Sequence, residues 1–197
     1  MASGRAVDEG DTASRILDSA ESLVQVRGFN GFSYADVAGE LSLTTASVHY
    51  HFPGKAELGR ALIVRYAGRF SDALAEIDDG GGDARARLLA YAGLYADVLR
   101  DQRMCLCGML AAEYQTLPEP MRDAVIGFFD ENEAWVGAVL AEGREHGSLA
   151  FDGAPRDAAR LIISALEGAM LVARPYGDVE RFELAAQRLL AGFSETS

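Results

Sequence analysis

The residue types able to do chemistry crowd into one short stretch of the chain. Thr44, Thr45, Ser47, His49, Tyr50 and His51 supply hydroxyls, imidazoles and a phenol, and Lys55 follows just beyond a Pro53-Gly54 break. Val48 and Phe52, four positions apart, can pin a helix here to its neighbours. That leaves Thr45, Ser47, His49, Tyr50 and His51 facing outward. Such groups are hydrogen-bond donors and acceptors that can reach base edges or phosphates when the helix enters a duplex groove. Lys55 opens the next helix, where its ammonium and nearby backbone N–H groups can hold a phosphate.

A second candidate is Cys105-Leu106-Cys107-Gly108, just after Arg100 and Arg103. A helix N-terminus and nearby cations favour a thiolate. Residues two apart on a helix point roughly 200° apart around its axis, so the pair is not poised to bond to itself. The plainer alternative is two small buried core residues. His49 and His51 have no Cys or Glu at ligand spacing, so no metal site is expected. No Ser-His-Asp set or paired-carboxylate cleft stands out, and Gly80-Gly81-Gly82-Asp83 lacks the lysine of a phosphate-binding loop. The expectation is a protein that is not an enzyme and needs no cofactor.

These residues must be positioned by helices. No stretch shows sustained alternation with β-branched residues, and turn signals fall between helical periods. The fold class expected is all-α with about nine helices. The first runs over 12–27, with Thr12 as N-cap, Ile16, Leu17, Ala20, Leu23 and Val24 on one face, and Gly28 as its stop. Ser33 caps the second, with Asp36 as a short capping-box partner. After Ser42-Leu43, Thr44 or Thr45 caps the third, which ends near His51-Phe52. The fourth, over 55–78, carries a stripe of Leu58, Leu62, Tyr66, Phe70, Leu74 and Ile77. The fifth and sixth span 83–100 and 104–115. The seventh runs from Pro120 to His146. The eighth spans 155–174 with Ala158, Leu161, Ile162, Ala165, Leu166, Ala169 and Ala173 inward. The ninth spans 179–193 with Phe182, Ala185, Leu189 and Phe193 inward.

Charge is unevenly shared. The chain of 197 residues has a formal net charge of −12. Residues 1–66 hold six basic and eight acidic side chains, while 67–197 hold twelve and twenty-two. DNA affinity answers to charge at the contact surface, so an acidic body does not exclude a DNA-reading head. Two cysteines make no disulfide framework, no apolar run approaches a membrane span, and the polar start lacks a secretion signal. A cytoplasmic protein with no membrane partner is expected.

Residues 44–58, Thr-Thr-Ala-Ser-Val-His-Tyr-His-Phe-Pro-Gly-Lys-Ala-Glu-Leu, together with Ile16-Leu17, Ala20, Leu23 and Arg27-Gly28-Phe29, resemble the TetR family of bacterial transcriptional repressors. The resemblance is strong over 12–62; beyond that, helix number and length agree. It implies an N-terminal helix-turn-helix domain and a C-terminal helical bundle for effector binding and dimerisation. By residue, it implies Ser33 and Tyr34 at phosphates, Thr44, Thr45, Ala46 and Ser47 near the bases, His49, Tyr50 and Lys55 on the backbone, and His51 close by. The sequence departs from the common pattern at Ser42, where the family often has Gly, at Thr45, often basic, at Ala46, often Gly, and at His49, often Tyr.

The organisation expected is therefore a disordered arm over 1–11, a DNA-binding domain over 12–55 and an effector-binding and dimerisation domain over 56–197. The fourth helix, shared by both parts, is the expected lever. The partners expected are palindromic double-stranded operator DNA, a second copy through helices eight and nine, and an unidentified small-molecule effector. Small residues Ala158, Ala165, Gly168, Ala169 and Ala173 would permit close helix approach in the dimer. The effector pocket is expected among Tyr91, Tyr95, Cys105, Cys107, Met109, Tyr114, Phe128, Trp135 and Met170. A repressor that senses electrophiles or oxidants through cysteine, as some members do, an effector-free DNA-binding protein and an all-helical enzyme stay open as alternatives.

Overall fold

Helix ends in this chain are set by short side chains that satisfy the first free N–H groups. In the computed structural model, which describes residues 3–193, with side chains from residue 10 onward, Ser33, Thr44, Asp83 and Asp178 each accept a hydrogen bond from a backbone N–H three residues on. The helices are α1 (Ser3–Arg27), α2 (Tyr34–Leu41), α3 (Thr45–His51), α4 (Lys55–Asp79), α5 (Ala84–Arg100), α6 (Leu106–Ala112), α7 (Glu119–Glu145), α8 (Pro155–Ala173) and α9 (Val179–Ala191). Single 3-10 turns follow α6 and α8, and no strand occurs among the described residues.

Two expectations about boundaries change. The arm expected over 1–11 is helical from Ser3, and its first two residues lie outside the described residues. No proline interrupts residues 3–12, and the two glycines there, Gly4 and Gly10, cost a helix only about 1 kcal/mol each. The sixth helix is shorter than 104–115. It ends at Ala112, and a 3-10 turn covers Tyr114–Thr116 ahead of Pro118. A proline restricts the residue before it, so the chain leaves the helix early.

The chain divides into two compact units, and the division also differs from the one at 55/56. The first unit takes the chain through Ala67 together with Leu106–Val125. Its core is Ile16, Ala20, Leu23 and Val24 of α1, Val37 and Ala38 of α2, Val48 of α3, and Leu58, Leu62 and Ile63 of α4. Leu106 and Leu110 of α6 and Met121 of α7 are buried in the same unit. A three-helix head has little interior of its own, so further apolar surface is needed to close its core.

The second unit comprises Gly68–Cys105 and the chain from Ile126 onward. Here α5, α8 and α9 pack together. Leu88, Tyr91 and Tyr95 of α5 are buried with Phe128, Val136 and Leu140 of α7, Ile162, Leu166 and Met170 of α8, and Phe182 and Leu190 of α9. Two inward assignments are corrected: Leu161 is 57% exposed, and Ala185 is exposed. Leu161 precedes a broad buried arc formed by Ile162, Ile163 and Leu166, which leaves it on the opposite side of α8.

This interior also holds polar groups. Tyr91 donates to Asn132 Oδ1 at 3.0 Å, and Asn132 Nδ2 donates to Phe128 O at 2.8 Å. The Tyr91 and Tyr95 hydroxyls are 3.0 Å apart. Glu167 of α8 pairs with the side chain of Cys105, yet its Oε1 is buried with no hydrogen-bond partner. Burial pushes its carboxyl from the ordinary 4.5 up to about 7, partly offset by the Cys105 hydrogen bond.

Two predictions follow from these local environments. Ser42, at the end of α2, has φ 55 and ψ 39, a left-handed conformation that disfavours any side chain. Ser42→Gly is expected to stabilise the protein by about 1 kcal/mol in denaturant unfolding. Glu167 titrates higher folded than unfolded, so its contribution is full at low pH and is lost as pH rises through about 7. Stability of the wild type relative to Glu167→Gln should therefore fall by on the order of 3 kcal/mol between about pH 4 and pH 8; parallel stability curves would contradict this.

Candidate nucleic-acid interface

The outward-facing chemistry of α3 depends on how firmly a seven-residue helix is held. Its start is fixed by α2. Ser33 caps α2 through Asp36 N, and the Asp36 carboxylate accepts from Ser33 N at 2.7 Å, so the capping box works with the shorter acid. The left-handed turn at Ser42 brings Leu43 N to Ala38 O at 2.8 Å. Thr44 then caps α3 by accepting from Ser47 N at 3.1 Å. Val48 is fully buried and anchors the inner face.

With Val48 inward, Thr44, Thr45, Ala46, His49 and Tyr50 are exposed, and Ser47 and His51 are half-buried. Tyr50 is 71% exposed, a large aromatic left in water with its ring against His51 at 5.3 Å. A ring this exposed has no part in the core, and it is available to a partner. From Ser33 to Gly54 there is no Lys or Arg, and Arg27 just upstream pairs with Asp36 at 3.5 Å. The face therefore offers hydroxyls, imidazoles and a phenol, with little fixed positive charge.

Two residues expected at phosphates do other work. Tyr34 is buried, and its hydroxyl donates to Phe52 O at 2.8 Å. Its ring packs on His49 with centroids 4.6 Å apart. Burial, with a smaller contribution from Glu57, pushes its phenol up to about 12. Tyr34 thus ties the start of α2 to the end of α3. Lys55 donates to Phe29 O and Phe32 O, and its ammonium lies 4.6 and 4.2 Å from the Phe29 and Phe32 ring centres. Burial lowers its pKa, opposed by Glu113 and Asp36. It fastens the loop between α1 and α2. Ser33 remains exposed, although its hydroxyl already donates to Asp36 at 2.6 Å.

The residues expected to line an effector pocket separate into two groups. Tyr91, Tyr95, Phe128 and Trp135 are brought together in the second unit. Tyr91 stacks on Trp135 at 5.6 Å and meets Tyr95 at 5.5 Å, and Phe70 touches both Tyr91 and Phe128 edge-on. Cys105 N donates to Met170 Sδ at 3.3 Å in the same unit. Cys107, Met109 and Tyr114 belong to the first unit, where Cys107 is buried and Tyr114 faces Arg122 at 5.4 Å.

The surroundings expected for Cys105 also change. It precedes α6 rather than lying within it, and it is 1% exposed. Arg100 pairs with Asp97 and Glu183, and Arg103 with Asp101. Sequence reasoning missed Phe70, Asn132 and Glu167 as neighbours of this cluster. Glu167 carries a legible signal: a charged residue one position after Leu166, in an otherwise apolar and small-residue stretch of α8.

Comparison with known proteins agrees with this geometry. The family described as bacterial regulatory proteins, tetR family, matches residues 16–62, and the tetracyclin repressor-like C-terminal domain matches residues 84–189. The HTH-type transcriptional repressor NemR of Escherichia coli strain K12 is 30% identical over 188 residues, covering 90% of this chain and 91% of its own. The crystal structure of a TetR-family transcriptional regulator from Agrobacterium tumefaciens superposes with a TM-score of 0.91 at 32% identity, over 95% of this chain and all of that one. The reduced form of E. coli NemR gives a TM-score of 0.81 at 28% identity, over 95% of this chain and 99% of that one. With both domains matched and a head that presents α3 to solvent, the chain belongs to the TetR family, whose members bind operator DNA as dimers under small-molecule control, and it is a DNA-binding transcriptional regulator.

Proposed function

We propose that the protein is a cytoplasmic, non-catalytic repressor that grips a palindromic operator through the exposed face of α3 and releases it when a small molecule enters the second unit. The observation that carries this reading is the exposed row Thr45, Ala46, His49 and Tyr50 on a helix braced from behind by Val48. Thr44, Thr45, Ala46 and Ser47 face the bases, while Ser33, His49, Tyr50 and His51 contact the phosphate backbone. A surface without Lys or Arg gives weak non-specific binding, so discrimination rests on hydrogen bonds and shape.

The dimer reading rests on α8 and α9. Leu161, Leu171, Val172 and Leu184 are 53–61% exposed, an apolar surface that a solitary subunit would leave wet. Gly168 is exposed, and a Cβ built there would meet nothing within 4 Å. Of the small residues expected at this face, Ala158 and Ala173 are instead buried within their own protomer. The supporting surface is thus a leucine-rich one around Gly168.

Effector recognition is proposed for the cluster of Tyr91, Tyr95, Phe128, Trp135 and Met170, where aromatic surface surrounds a few polar groups. α4 contributes residues to both units and is the proposed lever. Glu167 beside Cys105 favours a second reading, in which Cys105 itself reacts with an electrophile or oxidant. A solved structure of the relative NemR is of its reduced form.

Electrophoretic shift of the DNA flanking the gene tests the main reading. Wild type should shift a palindromic fragment; Tyr50→Ala should weaken binding by roughly tenfold to a hundredfold, as loss of one specific contact does. Leu171→Glu should elute as a monomer and lose the shift. A shift unaffected by both changes would exclude α3 and α8 from these roles. Release by N-ethylmaleimide or hydrogen peroxide separates the effector readings. Cys105→Ser should still bind DNA and resist release, with Cys107→Ser behaving as wild type. Release of Cys105→Ser at the normal rate would remove the cysteine reading.

A further inference from the structure

The loop that leads into the helix-turn-helix is met by opposite charges on its two polar edges. α1 ends at Arg27, and Gly28 takes φ +82, which turns the following N–H groups to one side. Glu113, just past the end of α6, fills that side. Phe29 N donates to its Oε2 at 2.5 Å, and Asn30 N reaches both carboxylate oxygens at 3.3 and 3.4 Å. The Asn30 side chain donates to Glu113 Oε1 at 3.3 Å and to Thr116 Oγ1 at 2.8 Å. Thr116 Oγ1 in turn donates to Glu113 O at 2.8 Å. On the carbonyl edge, Lys55 donates to Phe29 O and Phe32 O.

The fit is close at two glycines. A Cβ at Gly28 would lie 2.9 Å from Glu113 Oε1, and one at Gly59 of α4 would lie 2.8 Å from the Phe29 ring. Phe29 is 5% exposed, so the loop is wedged as well as hydrogen-bonded. Glu113 stands 84 residues from Phe29 and outside the helix-turn-helix. Its carboxylate is a charge-assisted acceptor for the loop N–H groups of Phe29 and Asn30, which no backbone carbonyl is shown to accept.

We propose that Glu113 is the positioning residue of the reading head: it latches the α1–α2 loop to the end of α6, so that the attitude of α2 and α3 is set by α6. The proposal rests on the operator reading above. Two heads on a palindrome must keep a fixed separation, so attitude determines which half-site spacing is accepted. A carboxylate serving only general stability would alter melting temperature without altering the preferred spacing.

The test uses the full-length protein with Glu113→Gln, Glu113→Ala and Gly28→Ala. Each is titrated against the native operator and against versions with half-sites one base pair closer or further apart. Glu113→Ala should bind the native spacing about tenfold more weakly and accept all spacings within about twofold of one another, as loss of one charge-assisted anchor predicts. Gly28→Ala, whose methyl crowds the carboxylate and whose positive φ adds backbone strain, should weaken native binding at least as much, and Glu113→Gln should be intermediate. Amide exchange at Phe29 and Asn30 should be at least about tenfold faster in Glu113→Ala. Wild-type spacing preference or wild-type exchange in these variants would overturn the latch. A wild type that prefers no palindrome would instead overturn the operator reading, and the exchange rates would then decide the latch alone. Should Glu113→Ala fail to fold, Glu113→Gln carries both measurements.

Discussion

A helix of seven residues such as α3 cannot hold its own shape, and what its exposed face can offer a partner follows from that limit. Isolated helices shorter than about 12 residues are marginal in water because nucleation fixes several residues for one hydrogen bond. α3 is helical because its surroundings impose the conformation. Thr44 caps it, Val48 is buried beneath it, and the Tyr34 hydroxyl holds the carbonyl of Phe52 at its far end. Each brace uses a polar or apolar group on the inner side. The outer side is thereby left free, with Tyr50 mostly in water.

The same logic extends one layer further back. Tyr34 stands at the start of α2, so the loop feeding α2 has to be rigid as well. Lys55 and Glu113 act on the two polar edges of that loop, and Phe29 is wedged close to Gly59. Lys55 is therefore occupied in holding backbone carbonyls. A phosphate would have to compete with those hydrogen bonds and with two phenyl faces. The result is a head in which Lys55 serves internal order, while the stretch from Ser33 to Gly54 carries no Lys or Arg.

The second unit follows a different economy. Its interior is aromatic, yet it keeps Tyr91, Tyr95, Asn132 and Glu167 among the rings. Most of these polar atoms are satisfied by one another. Glu167 Oε1 is not, and a buried carboxyl oxygen without a hydrogen-bond partner is costly to retain for packing alone. Burial keeps this acid largely protonated through the lower part of the neutral range. Such a group is sensitive to whatever enters beside it.

What the sequence determined by itself was local. Helix ends at Ser33, Thr44, Asp83 and Pro53-Gly54 are encoded by residues within a few positions of each end, and helical period places Thr45, His49 and Tyr50 outward, although Ser47 and His51, expected with them, are half-buried. Period tells which residues share a face; it cannot tell what meets that face across space. Only the tertiary structure decided that Tyr34 and Lys55 are consumed inside the head, that Cys107 and Tyr114 belong to a different unit from Cys105 and Tyr91, and that Leu161 faces out. The clearest case is Glu113: nothing near it in the chain marks it, because its partners Phe29 and Asn30 lie more than eighty residues away and are brought to it only by folding.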